Sequence, residues 1–143
     1  AEDYMFAAMH KDHPLAEETG PIDFSVLDGE PVITGSPDNA LRELFDRYGL
    51  LSGIEPRVLV ASSYSLTVVN AMKENAGIAT VTTAMARRIT NPDIVIRRLI
   101  TPEPGILYLA AAREAPEDKA RDSLERFIQR YFAATAMPRF KED

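Results

Sequence analysis

The sequence has no cysteine among its 143 residues, which excludes disulfide bonds, thiolate metal sites and cysteine nucleophiles. It also lacks a run of about 18 apolar residues, so no membrane-spanning helix is predicted. Positive charge is scarce: 16 Lys and Arg stand against 22 Asp and Glu, giving a net charge of -6. This excess of acid disfavours direct binding to a nucleic-acid backbone. With no export signal visible at the start of the sequence, we expect a cytoplasmic protein.

Histidine is also rare, and the two present stand three residues apart in MHKDHP. This spacing would let both side chains bind one metal ion only if they lay on the same helix, and Pro14 disfavours a helix there. We therefore expect His10 and His13 to lie in an exposed turn, one of them capping or hydrogen-bonding. Phosphate-loop, nucleophile-elbow and zinc-protease motifs are absent, so the sequence predicts no metal, no cofactor and no enzymatic activity.

Apolar residues recur alternately with strand and helix periods, which predicts an α/β fold. We expect strands over residues 4–10, 31–34, 57–61, 78–82, 94–100 and 106–112. Helices are expected over 24–28, 37–48, 66–75, 83–88 and 116–134. The first of these helices has Asp23 as its N-cap and Gly29 just past its end.

The helix over 37–48 has the strongest boundary signals. Ser36 is a preferred N-cap residue, Pro37 suits the first helical position, and Gly49 is the expected stop. An apolar face is predicted from the spacing of Leu41, Leu44, Phe45 and Tyr48.

In the next helix, Leu66, Val69 and Met72 are expected to face inward. Asn75 tolerates the left-handed conformation that ends a helix, and Gly77 then allows a tight turn into the following strand.

Three of the predicted strands end in, or are followed by, small hydroxyl residues just before a helix. If these strands are parallel neighbours, their ends and the helix N-termini meet at one sheet edge, where anionic or polar small molecules bind. The alternative is that each Ser or Thr is only an N-cap. The candidate binding residues are Thr34, Gly35, Ser36, Ser62, Ser63, Thr82 and Thr83.

The last helix is amphipathic and needs a partner surface. Two ion pairs with i, i+4 spacing are predicted on its polar face, Glu117 with Arg121 and Asp122 with Arg126. Its apolar stripe consists of Ala120, Leu124, Phe127, Ile128, Tyr131 and Phe132.

Several short motifs occur in order: HPLA, LDGEPVI, RYGL, PRVLVASS, and GIA followed by MAR. Their order and spacing, from Tyr4 to about Phe132, resemble the effector-binding domain of LysR-type transcriptional regulators. Two positions depart from that family's pattern, Asn75 where glycine is usual and Thr82 where proline is common.

The resemblance implies a three-layer subdomain like that of type 2 periplasmic binding proteins, with a mixed, mainly parallel sheet flanked by helices. Residues 4–112 would form the second effector-binding subdomain, and residues 113–143 a helix and tail that pack on a first subdomain absent from this sequence. Segments 4–10 and 106–112 would be the crossover strands. The last helix could instead fold back locally or pair with a second copy.

The resemblance further implies a small effector, often an organic acid or aromatic metabolite, bound between two subdomains without covalent chemistry. DNA would be contacted only through an absent N-terminal helix-turn-helix of a homo-oligomeric regulator, and no membrane would be bound. Thr34→Val or Ser63→Ala would then weaken the effector response. A solute-binding domain of a transport system and an enzyme on the same scaffold are the alternatives.

Overall fold

The helices and strands lie in two units of the chain, Asp3–Gly105 and a second unit formed by Ala1–Glu2 with Ile106–Asp143. The computed structural model describes residues 2–106 and 118–134. The strands are β1 (Glu2–Asp3), β2 (Met5–His10), β3 (Ile22–Asp23), β4 (Pro31–Thr34), β5 (Arg57–Ala61), β6 (Ile78–Thr82), β7 (Ile94–Ile100) and β8 (Gly105–Ile106). The α-helices are α1 (Ala40–Ser52), α2 (Ser65–Lys73), α3 (Thr83–Ala86) and α4 (Lys119–Ala134), and two 3-10 helices cover Pro14–Glu17 and Phe24–Leu27.

Four predicted strands, β4 to β7, have the expected bounds, and β2 is one residue shorter than expected. The predicted strand over 106–112 begins in β8, but its other residues lie outside those described. The domain boundary predicted between residues 112 and 113 also falls there and stays a prediction.

Six strands form one sheet in the order β3-β7-β2-β6-β4-β5. The pairs β3–β7, β4–β6 and β4–β5 are parallel, whereas β2 is antiparallel to β6 and β7. The predicted mixed, mainly parallel sheet is thus confirmed. Because the crossovers β4–α1–β5 and β5–α2–β6 step in opposite directions, right-handed connections place α1 and α2 on opposite faces of the sheet.

Both faces of the central strands β2, β4 and β6 are buried. On the α1 face, the Phe24 ring packs edge-on against Phe45 and Tyr48, with centroids 5.9 and 5.7 Å apart. On the α2 face, Val68 and Met72 are the buried contacts of the helix. The sheet therefore has a helical layer on each side.

The boundaries predicted for α1 are wrong by three or four residues. The Ser36 carbonyl accepts the Asn39 N–H at 2.9 Å, so a turn precedes the helix and Asn39 becomes the N-cap. Gly49 lies inside the helix, and the left-handed stop is Gly53, with φ 65°. The predicted apolar face is confirmed, since Phe45 and Tyr48 are buried.

In α2, the prediction that Leu66 faces inward is wrong, because its side chain is 71% exposed. Val68 and Met72 form the buried stripe, and at about 100° per residue Leu66 lies roughly opposite Val68. The predicted ending is confirmed: Asn75 has φ 50°, and a Cβ on Gly77 would overlap the Pro31 carbonyl oxygen.

The segment predicted as a short helix over 24–28 is a single 3-10 turn, Phe24–Leu27. Asp23 is its N-cap as predicted, accepting the Ser25 N–H at 2.8 Å. Hydrogen bonds from the Ser25 side chain and backbone lower the pKa of Asp23.

The α4 helix exposes three large apolar side chains, Leu124, Phe127 and Tyr131. Its i, i+4 ion pair joins Arg121 to Glu125 at 3.7 Å. The predicted pairing of Asp122 with Arg126 is wrong, because the Asp122 carboxylate lies against Arg121 and Arg126 donates to Ser123. Glu117 lies outside the described residues. Among the helices that are described, none has the length and apolarity needed to cross a bilayer.

Candidate functional site

The carboxyl ends of β4, β5 and β6 meet at one edge of the sheet, because β4 is parallel to both of its neighbours. A cavity of about 60 Å³ opens there. It is lined by Thr34, Gly35, Asn39, Leu41, Ser62, Ser63, Val68, Thr80 and Met85. Enclosed ligand pockets have volumes of roughly 300–1,000 Å³, so this surface is sized to contact one side of a small molecule.

Four of the seven predicted site residues line the cavity: Thr34, Gly35, Ser62 and Ser63. Ser36 is linked to them, because the Ser63 hydroxyl donates to the Ser36 hydroxyl at 3.0 Å. Of the two threonines after β6, Thr82 caps α3 through the Met85 N–H at 3.4 Å. Thr83 lies against the backbone of Tyr4, and neither threonine lines the cavity.

Asn39 sets the direction of the hydrogen bonds beside the cavity. Its Oδ1 accepts the Leu41 N–H at 2.8 Å, which orients Nδ2 towards the Ser63 hydroxyl at 3.5 Å. Since Ser63 in turn donates to Ser36, the Ser36 hydroxyl keeps its own proton for a further hydrogen bond. This chain of bonds presents a donor at its end.

Thr34 and Thr80 form a second polar pair at the cavity. Their side chains are 1% and 2% exposed, and the Thr80 hydroxyl donates to the Thr34 hydroxyl at 2.8 Å. The Thr34 hydroxyl therefore has its own proton to offer. A ligand group that accepts hydrogen bonds suits both Thr34 and Ser36.

Five lining residues were not predicted from the sequence: Asn39, Leu41, Val68, Thr80 and Met85. Asn39 carried a usable signal, since asparagine is as good an N-cap as serine. Thr80 lies inside a strand, and Met85 follows β6 on a short helix. Nothing local in the sequence indicates that either contacts the same cavity as Ser63.

The nine lining residues are all uncharged. The site therefore offers hydrogen bonds and helix N-terminal N–H groups, without a titratable group that could serve as general acid or base. In the described part of the chain, no three His, Cys, Asp or Glu side chains are grouped as metal ligands would be.

The two histidines lie outside the cavity. His13 Nδ1 accepts the Leu15 N–H at 3.3 Å and caps the 3-10 helix Pro14–Glu17, which confirms the predicted capping role. His10 Nδ1 accepts the Asp12 N–H at 3.3 Å.

Comparisons with known proteins identify the family and the fold. The sequence profile of the family described as LysR substrate binding domain matches residues 1–133. No curated protein sequence matches the chain.

The chain is similar to several solved structures. The effector binding domain of QuiR in complex with shikimate has a TM-score of 0.75 at 19% identity, covering 94% of this chain and 63% of that chain. The regulatory domain of Synechocystis PCC6803 CcmR in complex with 2-PG has a TM-score of 0.78 at 14% identity, covering 91% and 63%. The BenM effector binding domain with its effector benzoate has a TM-score of 0.71 at 16% identity, covering 97% and 64%.

These likenesses establish the fold and confirm the predicted class, a mixed sheet flanked by helices as in type 2 periplasmic binding proteins. The chain spans 63% of the length of the first two structures it matches.

Proposed function

Since the chain belongs to the LysR substrate binding domain family, we propose that it is the effector-sensing part of a transcriptional regulator. It binds a small molecule at the carboxyl ends of β4, β5 and β6 and catalyses no reaction. The observation that carries this proposal is the convergence of three parallel strand ends on a cavity lined by hydroxyl and amide groups. The family is one of transcriptional regulators, which favours a regulator over a solute-binding domain of a transport system.

We assign residues 4–112 to the second effector-binding subdomain and residues 113–143 to a helix and tail that pack on a first subdomain. Two observations support this: the chain spans 63% of the first two structures it matches, and α4 exposes Leu124, Phe127 and Tyr131. DNA is contacted through a helix-turn-helix outside this sequence, in a cytoplasmic homo-oligomer. The net charge of -6 supports a DNA contact made elsewhere.

The effector carries a hydrogen-bond-accepting group, and a carboxylate fits best. The hydroxyls of Thr34 and Ser36 supply donors, and the nearby helix N-terminus favours negative charge. Two of the similar structures hold the carboxylates shikimate and benzoate. An effector can shift the equilibrium between two conformations of the regulator only as far as its affinities for those two conformations differ.

A panel of small carboxylates and their matched primary amides tests the proposed ligand class on the chain by thermal shift and calorimetry. We expect at least one carboxylate to bind, with its amide about tenfold weaker because the amide carries no charge and offers one acceptor oxygen fewer. Saturable binding of the amides at equal affinity would contradict the carboxylate assignment. The absence of binding by every compound, also in the intact regulator, would contradict the proposed function.

Asn39→Asp separates the capping role of Asn39 from its role in the site. Aspartate keeps the acceptor for the Leu41 N–H, so the free energy of unfolding should change by less than about 0.5 kcal/mol. The same change removes the Nδ2 donor and adds a negative charge beside Ser63, so affinity for a carboxylate should fall about tenfold or more.

Asn39→Ser is the matched control for that experiment, because serine caps the helix without adding charge. Its affinity should lie between those of the wild type and the aspartate variant. Equal carboxylate affinity in all three proteins would place the ligand away from Asn39.

Ser63→Ala should weaken effector binding roughly threefold to tenfold, because it removes the hydroxyl that joins Asn39 to Ser36. Ser63 is exposed, so the thermal midpoint should stay close to that of the wild type. Ser25→Ala, an exposed serine on a 3-10 helix away from the cavity, is the control and should leave calorimetric affinity unchanged. If both variants bind alike, Ser63 is not a binding residue.

A further inference from the structure

The short helix α3 connects the candidate cavity to the point where the chain enters the larger unit. Met85 of α3 lines the cavity, and its backbone N–H is held by the Thr82 hydroxyl at 3.4 Å. At the other end of the same turn, the Thr83 hydroxyl accepts the Tyr4 N–H at 3.2 Å and donates to the Tyr4 carbonyl at 3.4 Å.

Asp3 completes this connection. Its Oδ1 accepts the N–H groups of both Tyr4 and Thr83, at 3.1 and 3.3 Å. Through these two bonds, a movement of α3 acts on the side chain of Asp3. Asp3 belongs to β1, which pairs with β8.

The chain enters the unit Asp3–Gly105 through β1 and leaves it through β8, and these two short strands pair with each other. A Cβ at Gly105 would lie 2.9 Å from the Asp3 carbonyl oxygen, closer than side chains approach a backbone. Only glycine allows this approach, and a displacement of Asp3 is therefore passed directly to Gly105.

We infer that Thr83 is a positioning residue that couples occupancy of the cavity to the paired entry and exit segments at Asp3 and Gly105. Thr83 is predicted from the sequence to bind the ligand, but its contacts with Tyr4 give it a role behind the cavity wall. An occupant that presses on Met85 shifts α3, and Thr83 passes the shift to Asp3. The inference rests on the proposed function, because it takes the cavity as the effector site.

The absence of cysteine allows a test that does not depend on knowing the effector. Ser63→Cys, alkylated with iodoacetate, places a carboxylate in the cavity at a single site. Hydrogen exchange of individual amides is then measured by NMR with and without the label. We expect the label to change the exchange rates of the Tyr4 and Thr83 amides at least about fivefold, because their hydrogen bonds report the position of α3.

Thr83→Val, made in the Ser63→Cys protein, removes the hydroxyl and keeps the shape. The label should then change Tyr4 exchange less than about twofold, although Tyr4 can still donate to Asp3. Thr83→Ser should restore the response, which a merely structural role of the methyl group would not do. Ser25→Cys with the same label is the control for alkylation away from the cavity and should leave both amides unchanged.

Two results would overturn the inference: a label at residue 63 that leaves the Tyr4 and Thr83 amides unchanged, or an undiminished response in Thr83→Val. Failure of the proposed function would look different. In that case no compound of the carboxylate panel binds, whatever the labelled protein shows.

Discussion

Gly77→Ala should lower the free energy of unfolding by about 3 kcal/mol or more, because a Cβ there would overlap the carbonyl oxygen of Pro31. That oxygen belongs to the backbone of β4, so it cannot yield as a flexible side chain would. The turn ending α2 brings β6 alongside β4 at this point, and the site edge depends on that pairing. Chemical denaturation of the chain measures the change.

Gly49→Ala is the matched control for Gly77→Ala. Gly49 is also buried, but an added Cβ would meet its nearest neighbour, the Ile54 carbonyl oxygen, at an ordinary 3.7 Å. Since Gly49 lies inside α1, alanine should raise the free energy of unfolding by about 0.5–1 kcal/mol. Similar losses in both variants would contradict the assigned packing of β4 against the turn at Gly77.

Phe24→Ala should lower the free energy of unfolding by about 3–5 kcal/mol. The ring is 1% exposed and meets Phe45 and Tyr48 edge-on, so its removal leaves a cavity bounded by rigid rings. Phe24→Leu should lose less, about 1–2 kcal/mol, because most of the volume remains. The measurement is again chemical denaturation.

Leu50→Ala provides the comparison for Phe24→Ala, since Leu50 is a large apolar residue that is 82% exposed. Its truncation should change stability by less than about 0.5 kcal/mol. An equal loss of unfolding free energy in Phe24→Ala and Leu50→Ala would contradict the burial of Phe24 in the core.

Helix boundaries show the limit of local signals in this chain. Ser36 and Pro37 are good helix-start residues, yet α1 starts at Ala40, because Ser36 closes a turn with Asn39 and uses its hydroxyl to meet Ser63. Ser63 lies 27 residues further along, and a local pattern does not contain that contact. Similarly, Gly49 is a plausible stop, yet the helix runs on to Ser52, and the Gly49 carbonyl accepts the Ile54 N–H beyond the helix end at 3.1 Å.

The candidate site was predicted in part for the same reason. Thr34 ends β4, and Ser62 and Ser63 follow β5, so strand ends and parallel pairing predict their convergence. Thr80 lines the cavity because β6 pairs with β4, and Met85 lines it because α3 follows β6 directly. That alignment depends on contacts far apart in sequence.

The sequence by itself determined the α/β class, the positions of β4 to β7 and the family resemblance, because strand periodicity and short motifs are local properties. It also determined the left-handed helix end at Asn75, because few residues tolerate that conformation. Only the tertiary structure decided which hydroxyls share the cavity. The tertiary structure also decided that Thr83 contacts Tyr4 and does not line the cavity. Strand order and register bring these residues together across the sheet, and they arise from burying both sheet faces at once.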